Sequence, residues 1–239
     1  MSTIDPYPVR LHATLDPRLS RWLWLVKIFL AIPHYVILVG LGIAFVFSTV
    51  IAGVAILVTG RYPRALFDFN LGVLRWNWRV GFYVYAALGT DKYPPFTLAH
   101  TDHPASLEVD YPDRLSRAGV LVKWLLAAPH LIVVGLFTGI IMLYPWDAYT
   151  DWQGGHPVGG YSVLNLLVVV AGIFLLVTGR YPVPIFEFLV GFSRWTYRVV
   201  AYVGLMTDVY PPFRLDAGGC ETDRSPGTFP APTSTHVSF

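Results

Sequence analysis

The chain carries one long motif twice, and this duplication constrains its fold more than any other feature. "VTGRYPRALFDFNLGVLRWNWRV" occupies residues 58–80, and "VTGRYPVPIFEFLVGFSRWTYRV" occupies residues 177–199. Two further pairs of blocks recur in the same order, "RLSRWLWLVKIFLAIPH" with "RLSRAGVLVKWLLAAPH" and "TDKYPPFTL" with "TDVYPPFRL". Repeats in constant order predict two structural units that are built alike.

The repeats divide the chain into four parts. We place the first membrane repeat at 1–98, a connector at 99–106, the second membrane repeat at 107–215 and a tail at 216–239. The tail is rich in Gly, Pro, Ser and Thr, a composition that predicts disorder.

The composition predicts an integral membrane protein, which we place in the plasma membrane. Of the 239 residues, 54% are apolar and only 13% are charged, and the mean hydropathy is +0.52. A soluble domain usually has about 25% charged residues, so a large soluble core is a poor explanation. No cleavable signal peptide is evident, because a polar segment precedes the first long apolar run.

The apolar runs predict four transmembrane helices, in two duplicated hairpins. The run from Trp22 to Val58 is longer than the about 20 residues that one crossing needs. Two crossings would fit if Gly40-Leu41-Gly42 formed the turn between them. In the second repeat the polar stretch Tyr144–Ser162 separates two apolar runs, which supports the same division. The predicted helices are 21–39, 43–59, 118–143 and 163–178.

The basic residues predict the orientation of these hairpins. No Lys or Arg occurs in Gly40–Gly42 or in Tyr144–Ser162. Every basic residue can therefore lie on one side of the membrane, with both hairpin tips on the other. We expect a multi-pass protein with cytoplasmic N- and C-termini.

The repeated aromatic segment carries a charged stripe at helical spacing. Residues at steps of four, three and four share one side of a helix. A narrow charged stripe on an aromatic body is typical of an amphipathic helix lying in the membrane interface. The carboxylate could simply offset the two arginines, or all four arginines could bind anionic lipid headgroups or carboxylates of a partner. The two copies of the charged stripe are Asp68, Gly72, Arg75 and Arg79, and Glu187, Gly191, Arg194 and Arg198.

A Pro-His pair recurs inside the first apolar run of each repeat. His34 and His130 follow Arg21 and Arg117 by about 13 residues, which is roughly 20 Å along a helix. A histidine at that depth needs a partner or a cavity. Three interpretations stay open: a packing hydrogen bond at a proline kink, a polar site for a substrate or protons, and a symmetric pair of haem ligands.

Short alternating stretches predict a small cytoplasmic sheet. Val9–Leu15 and Ser106–Tyr111 alternate apolar and polar residues, as strands do. The segments "PFTLAH" and "PFRLD" could pair with them. We find no nucleophile elbow, phosphate loop or metal-ligand set, and no patch for nucleic acid, so we expect no catalytic residue, metal or cofactor.

The motifs "TGRYP", "RWxxRV" and "TDxYPPF" together resemble the bacterial membrane proteins described only as a domain of unknown function (DUF4389). The resemblance covers nearly the whole chain outside the tail, as two copies. It implies a small integral-membrane domain and carries no established activity. We expect a non-enzymatic accessory or scaffold subunit that packs against other membrane proteins, anionic lipids or both. The alternatives are a small transporter or lipid-handling protein with a site between the repeats, and a haem-binding electron carrier.

Overall fold

The computed structural model describes residues 7–139 and 162–216. The tail predicted at 216–239 therefore lies outside the described residues except for Asp216, and so does most of the polar stretch 144–162. Within the described residues the fold is mainly helical, with one two-stranded ribbon. The elements are β1 (Val9–Ala13), α1 (Leu23–Leu30), α2 (Ile32–Thr59), α3 (Arg64–Tyr83), β2 (Ala105–Val109), α4 (Arg117–Leu126), α5 (Ala128–Thr138), α6 (Val163–Thr178) and α7 (Val183–Val203).

Helix α2 is one uninterrupted helix, so the predicted turn at Gly40–Gly42 is wrong. It ends at Gly60, whose φ of 72° is the left-handed conformation that terminates a helix. A glycine inside a helix costs only about 1 kcal/mol. Leaving the helix in an apolar environment would leave backbone N–H and C=O groups unpaired, at a cost of several kcal/mol each. The backbone therefore stays helical through both glycines.

The second repeat contains the same helix in two pieces. Helix α5 ends before Gly139, and α6 begins after Ser162. The Ser162 hydroxyl donates to the carbonyl of Phe137 over 3.0 Å and accepts from the backbone N–H of Asn165 at 3.2 Å. The last turn of α5 and the first turn of α6 thus meet, and together these helices take the place of α2.

Both repeats have a helix break beside the Pro-His pair. Helix α1 gives way to α2 at Ala31, and α4 gives way to α5 at Ala127. The second break bends the chain by 44°. Pro33 and Pro129 lie in the first turn after each break, where the missing proline N–H costs no helical hydrogen bond.

The described residues contain fewer candidate membrane-spanning helices than the four that we predicted. Within the described residues, α2 is the one helix long and apolar enough to span a membrane. The bent pair α4–α5 would be a second candidate if the two helices form one span. The orientation that we predicted for both termini depended partly on the hairpin in the first repeat, so it stays a prediction.

Helices α3 and α7, called the inner helices below, are largely buried within the described part of the fold. Helix α3 packs against α2 and β2, and α7 packs against β1, α6 and α5. Their aromatic rings meet each other, with Trp78 5.6 Å from Tyr197 and Phe82 6.1 Å from Phe186 between ring centroids. The aromatic surface that we expected to face the membrane interface is therefore mostly buried in the protein instead, and the position of these helices relative to a membrane stays a prediction. Aromatic residues occur around most of each helix, and burying them on several sides removes more apolar surface from water.

The predicted short strands are present as an antiparallel ribbon. Residues Val9 and Val109 are paired at one end, and Ala13 and Ala105 at the other. The segments 95–100 and 212–216, expected to pair with these strands, form no strand. Their residues instead contact the inner helices and the two histidines, as described below.

The remaining helices, α1, α2, α4, α5 and α6, are called the outer helices because they expose apolar side chains. On α2 these residues follow the helix over almost its whole length, and none of its residues is charged. The well-exposed residues of α2 include Ile32, Val36, Val39, Ile43, Val46, Phe47, Val50, Ile51, Val54 and Val58.

Candidate functional site

His34 lies in a closed aromatic pocket formed by distant parts of the first repeat. Its side chain is fully buried, and its Nδ1 accepts a hydrogen bond from the Trp76 indole over 3.1 Å. The ring stacks on Phe96 with a centroid distance of 4.0 Å and lies 5.0 Å from the ring of Tyr93. The "PH", "RW" and "TDxYPPF" motifs therefore meet at one place.

The second repeat reproduces this pocket around His130. Its Nδ1 accepts from the Trp195 indole at 3.2 Å. The ring stacks on Phe213 at 3.8 Å and lies 5.0 Å from Tyr210. The two histidines share no partner among the described residues, so the fold does not bring them together into one site.

The tryptophan partner fixes the chemical form of each histidine. An indole N–H can only donate, so Nδ1 must keep its lone pair and the proton of the neutral ring lies on Nε2. A metal bound at Nε2 would need that proton moved to Nδ1, against the indole N–H. Neither side chain therefore fits axial haem ligation, and the arrangement matches a packing hydrogen bond at a helix break. Each Nε2 lacks a hydrogen-bond partner in the part of the chain that the structure describes.

A buried lysine lies one turn before each helix break. The Lys27 ammonium donates to the carbonyl of Thr90 and lies 2.8 Å from a carboxylate oxygen of Asp91. Lys123 donates in the same way to Thr207 and lies 2.6 Å from Asp208. Both ammonium groups are buried, so the carboxylate offsets a charge that would otherwise be costly.

The "TDxYPPF" segment of each repeat also makes a hydrogen bond to the end of the helix before the break. The Tyr93 hydroxyl donates to the carbonyl of Leu30, and the Tyr210 hydroxyl donates to that of Leu126. These carbonyls are the last of α1 and α4. We did not predict Asp91, Tyr93 or their equivalents as partners from the sequence. The signal was present, because every one of these residue types recurs in both repeats.

The first arginine of each charged stripe caps one edge of the ribbon. Arg75 donates through Nε to the carbonyl of Leu107 at 2.9 Å, and Arg194 donates through Nε to that of Leu11 at 3.4 Å. Leu11 and Leu107 are directly paired. The backbone bonds of the neighbouring residues show that this is a non-hydrogen-bonded pair, so its two carbonyls point outward on opposite edges.

The second arginine of each stripe is almost fully buried, with 2% of Arg79 and of Arg198 exposed. Arg79 donates from Nη1 to the hydroxyl of Thr101 at 2.6 Å and from Nη2 to the carbonyl of Thr97. The guanidinium of Arg198 lies 5.1 Å from the ring of Tyr7. The four arginines therefore form two separate pairs at opposite ribbon edges, not one shared anionic site.

The other residues of the charged stripes have simpler positions. Asp68 and Glu187 are exposed, and neither makes an ion pair within the described residues. Gly72 and Gly191 allow the segment after each "YPPF" motif to pass close by. A Cβ on Gly72 would lie 3.0 Å from the carbonyl oxygen of Leu98, and a Cβ on Gly191 would lie 2.7 Å from that of Leu215.

A cavity of about 340 Å³ lies where the two repeats meet. Its walls come from α3, α6 and α7, and its described lining contains no charged side chain. Three polar groups form a chain on one wall, because Asn77 donates to the Tyr197 hydroxyl at 2.9 Å and accepts from the Tyr85 hydroxyl at 3.2 Å. Burial raises the pKa of Tyr197 well above its ordinary value, so this hydroxyl stays neutral.

No metal site is formed in residues 7–139 and 162–216, where no three His, Cys, Asp or Glu side chains are grouped to hold an ion. His103 is buried, and its Nδ1 accepts from the backbone N–H of Ala105 at 3.1 Å. It therefore supports the start of β2.

These features define a duplicated, mainly helical protein with an apolar outer layer and a polar framework repeated in each half. The sequence model of one family, described as a domain of unknown function (DUF4389), matches residues 21–97 and 161–214. The chain belongs to this family, and the two matched segments agree with two tandem copies. No curated protein and no solved structure matches the chain.

Proposed function

We propose that the protein is a non-enzymatic accessory or scaffold subunit, embedded in the plasma membrane through its outer helices and packed there against other membrane proteins and lipids. The observation that supports this most is the exposed apolar surface of α2. From Val36 to Val58 it extends over about 33 Å, close to the about 30 Å thickness of the hydrocarbon layer. Soluble monomers rarely expose such a surface.

The use of the polar groups supports a role without catalysis. The buried histidines and lysines make their contacts within the chain, at helix breaks that recur in both repeats. Contacts of this kind suit side chains that stabilise the fold.

The experiment places a photo-crosslinking residue on the outer face, at Ile51 or Phe174, in cells. A position that is exposed but polar, Asp113, is the control. We expect the protein to stay in the membrane fraction during alkaline extraction. We also expect the outer face to crosslink to one defined membrane protein, which should remain bound in native mass spectrometry. Extraction at alkaline pH would contradict the membrane assignment. Crosslinks to lipid alone, with a monomer in native mass spectrometry, would contradict the accessory role.

The multi-pass arrangement with both termini in the cytoplasm belongs to the same proposal, and it is supported by the stretch Tyr144–Ser162, which contains no Lys or Arg. An impermeant thiol reagent on intact cells tests it in the Cys220→Ser background. We expect labelling of a cysteine at Gln153 and protection of one at Thr222. The reverse pattern would contradict the orientation.

The cavity between the repeats favours a second candidate, a lipid-handling protein. Its volume lies within the range of small-molecule sites, and apolar walls with a few neutral polar groups suit an uncharged amphiphile. Thr196→Phe would fill part of the cavity, whereas Thr178→Phe makes the same change away from it. If the protein moves lipid between vesicles, the first variant should slow the transfer and the second should not. Equal transfer by both variants would remove this candidate.

A further inference from the structure

We propose that the first repeat binds a single phosphate group in a pocket at the outer edge of β2, and that the second repeat has lost the equivalent site. The pocket, called the phosphate pocket below, lies between α3, the connector and β2. Its lining includes Arg75, Arg79, His100, Thr101 and Ser106. The proposal rests on the proposed function only in treating membrane phospholipid as one available source of the phosphate.

The charge of Arg79 is buried without a counter-charge among the described residues. Only 2% of the residue is exposed, and its bonds go to a hydroxyl and a carbonyl, both uncharged. No carboxylate pairs with it within the described residues. Burial lowers the pKa of Arg79, and the charge of Arg75 lowers it further. Arginine nevertheless stays protonated, so a bound anion would offset the cost of burying this charge.

The two arginines also have N–H donors in the pocket that make no hydrogen bond to the described residues. Arg75 uses Nε for the ribbon carbonyl, and its two Nη groups have no partner among the described residues. The Nε of Arg79 is buried and also has no partner. Two terminal nitrogens of one guanidinium form a fork that matches two oxygens of a phosphate.

The space suits one oxygen of such a group. The pocket is partly open to the surface and has a volume of about 10 Å³, close to the space that one water-sized atom needs. The hydroxyl of Thr101 accepts from Arg79, so its own proton is available to donate to the anion. Two carboxylates interact electrostatically with Arg75, namely Glu108, which pairs with Arg10 at 3.5 Å, and the exposed Asp68.

In the second repeat, the arginine equivalent to Arg75 donates to two backbone carbonyls of the protein itself. Arg194 donates through Nε to Leu11 and through Nη1 to the carbonyl of Leu215 at 3.1 Å. Arg198 lies beside the ring of Tyr7, and its charge lowers the pKa of Asp216 after the larger effect of Arg214. The twin arginines therefore differ in what they can bind, although the stripes are identical in sequence at these positions. This gives a matched control within one protein.

The test uses the purified full-length protein in a neutral detergent. One arm follows inorganic phosphate by ³¹P line broadening, and the other compares phosphatidic acid with diacylglycerol of the same chains by native mass spectrometry. We expect Arg75→Gln to weaken phosphate binding at least tenfold and Arg194→Gln to change it less than twofold. Ser106→Asp should also abolish binding, because it places a carboxylate in the pocket while keeping both guanidinium groups.

The two arms separate the sources of the phosphate. Binding of both probes identifies any accessible phosphate as the ligand, and binding of phosphatidic acid alone identifies a lipid headgroup. Helical content and unfolding are measured for every variant, and Ser106→Asp retains the test if Arg75→Gln unfolds. No binding of either probe by the wild type, or equal losses in the two arginine variants, would overturn the proposal. Either result would leave the crosslinking test of membrane packing unaffected.

Discussion

The two repeats hold their buried polar groups in the same way and differ along their outer helices. His34 and His130 have the same three kinds of partner, a tryptophan, a phenylalanine and a tyrosine. Each buried lysine pairs with the aspartate of a "TDxYPPF" motif. In contrast, α2 is continuous, whereas α5 and α6 are separated by residues 139–162. Features needed to close a helix break have stayed alike in both copies. Features of the outer helices have diverged.

The largest expected loss of stability comes from removing the aspartate of a buried lysine–aspartate pair, and it should differ between the two repeats. Asp91→Ala would leave Lys27 buried without a counter-charge, which should destabilise the fold by about 3 kcal/mol. Asp208→Ala should cost less, because the side chain of Asp208 is 37% exposed and that of Asp91 is 21% exposed. Reversible unfolding in mixed detergent micelles measures both. A larger loss for Asp208→Ala would contradict the comparison.

The next largest loss of stability is expected when the hydrogen bond from tryptophan to each histidine is removed. Trp76→Phe and Trp195→Phe each leave a buried Nδ1 without its donor, at an expected cost of about 2 kcal/mol. Because both histidines are fully buried, the two losses should agree. The same unfolding measurement applies, with Trp22→Phe, an exposed position, as the control. A loss in only one repeat would show that the two pockets are not equivalent.

A smaller effect is expected at the stripe glycines. Gly72→Ala and Gly191→Ala place a methyl group against the backbone of the passing segment, which must move by a few tenths of an ångström. We expect about 1 kcal/mol of destabilisation from each. Gly42→Ala is the control, since nothing lies within 4 Å of a Cβ there. Control and test variants of equal stability would show that the close approach is unimportant.

The smallest effect concerns the stripe carboxylates. Asp68→Asn and Glu187→Gln change exposed groups that make no ion pair within the described residues, so each should alter stability by less than about 0.5 kcal/mol. A loss of several kcal/mol in either variant would restore the interpretation in which the carboxylate fixes the helix through its arginines.

The sequence predicted those features that depend on repetition. The two units and the short strands at their starts follow from blocks that recur in order, whereas Asp91 and Tyr93 lie in such a block and were not predicted as partners. The positions of the inner helices did not follow, because an aromatic helix with a charged stripe suits a membrane interface as well as a core. Arg79 and Arg198 reach backbone and aromatic partners that are far from them in sequence. Periodicity cannot identify such partners.

The turn at Gly40–Gly42 was mispredicted for a related reason. The polar insertion in the second repeat indicated a place where the chain leaves the helix, and we applied this to the first repeat. An insertion can interrupt a helix without the shorter copy having a turn at that position. The contact between Ser162 and Phe137 shows that the two helix ends stay together around the insertion.

The most direct test of this account is the distance between spin labels at Ile32 and Ile51, two exposed positions on α2. The measurement is made by pulsed electron resonance in lipid nanodiscs, in the Cys220→Ser background. A continuous helix places these residues about 28 Å apart. A hairpin that turns at Gly40–Gly42 would bring them side by side, at about 10 Å. The long distance is predicted, and the short one would contradict the continuous outer helix on which the comparison of the two repeats depends.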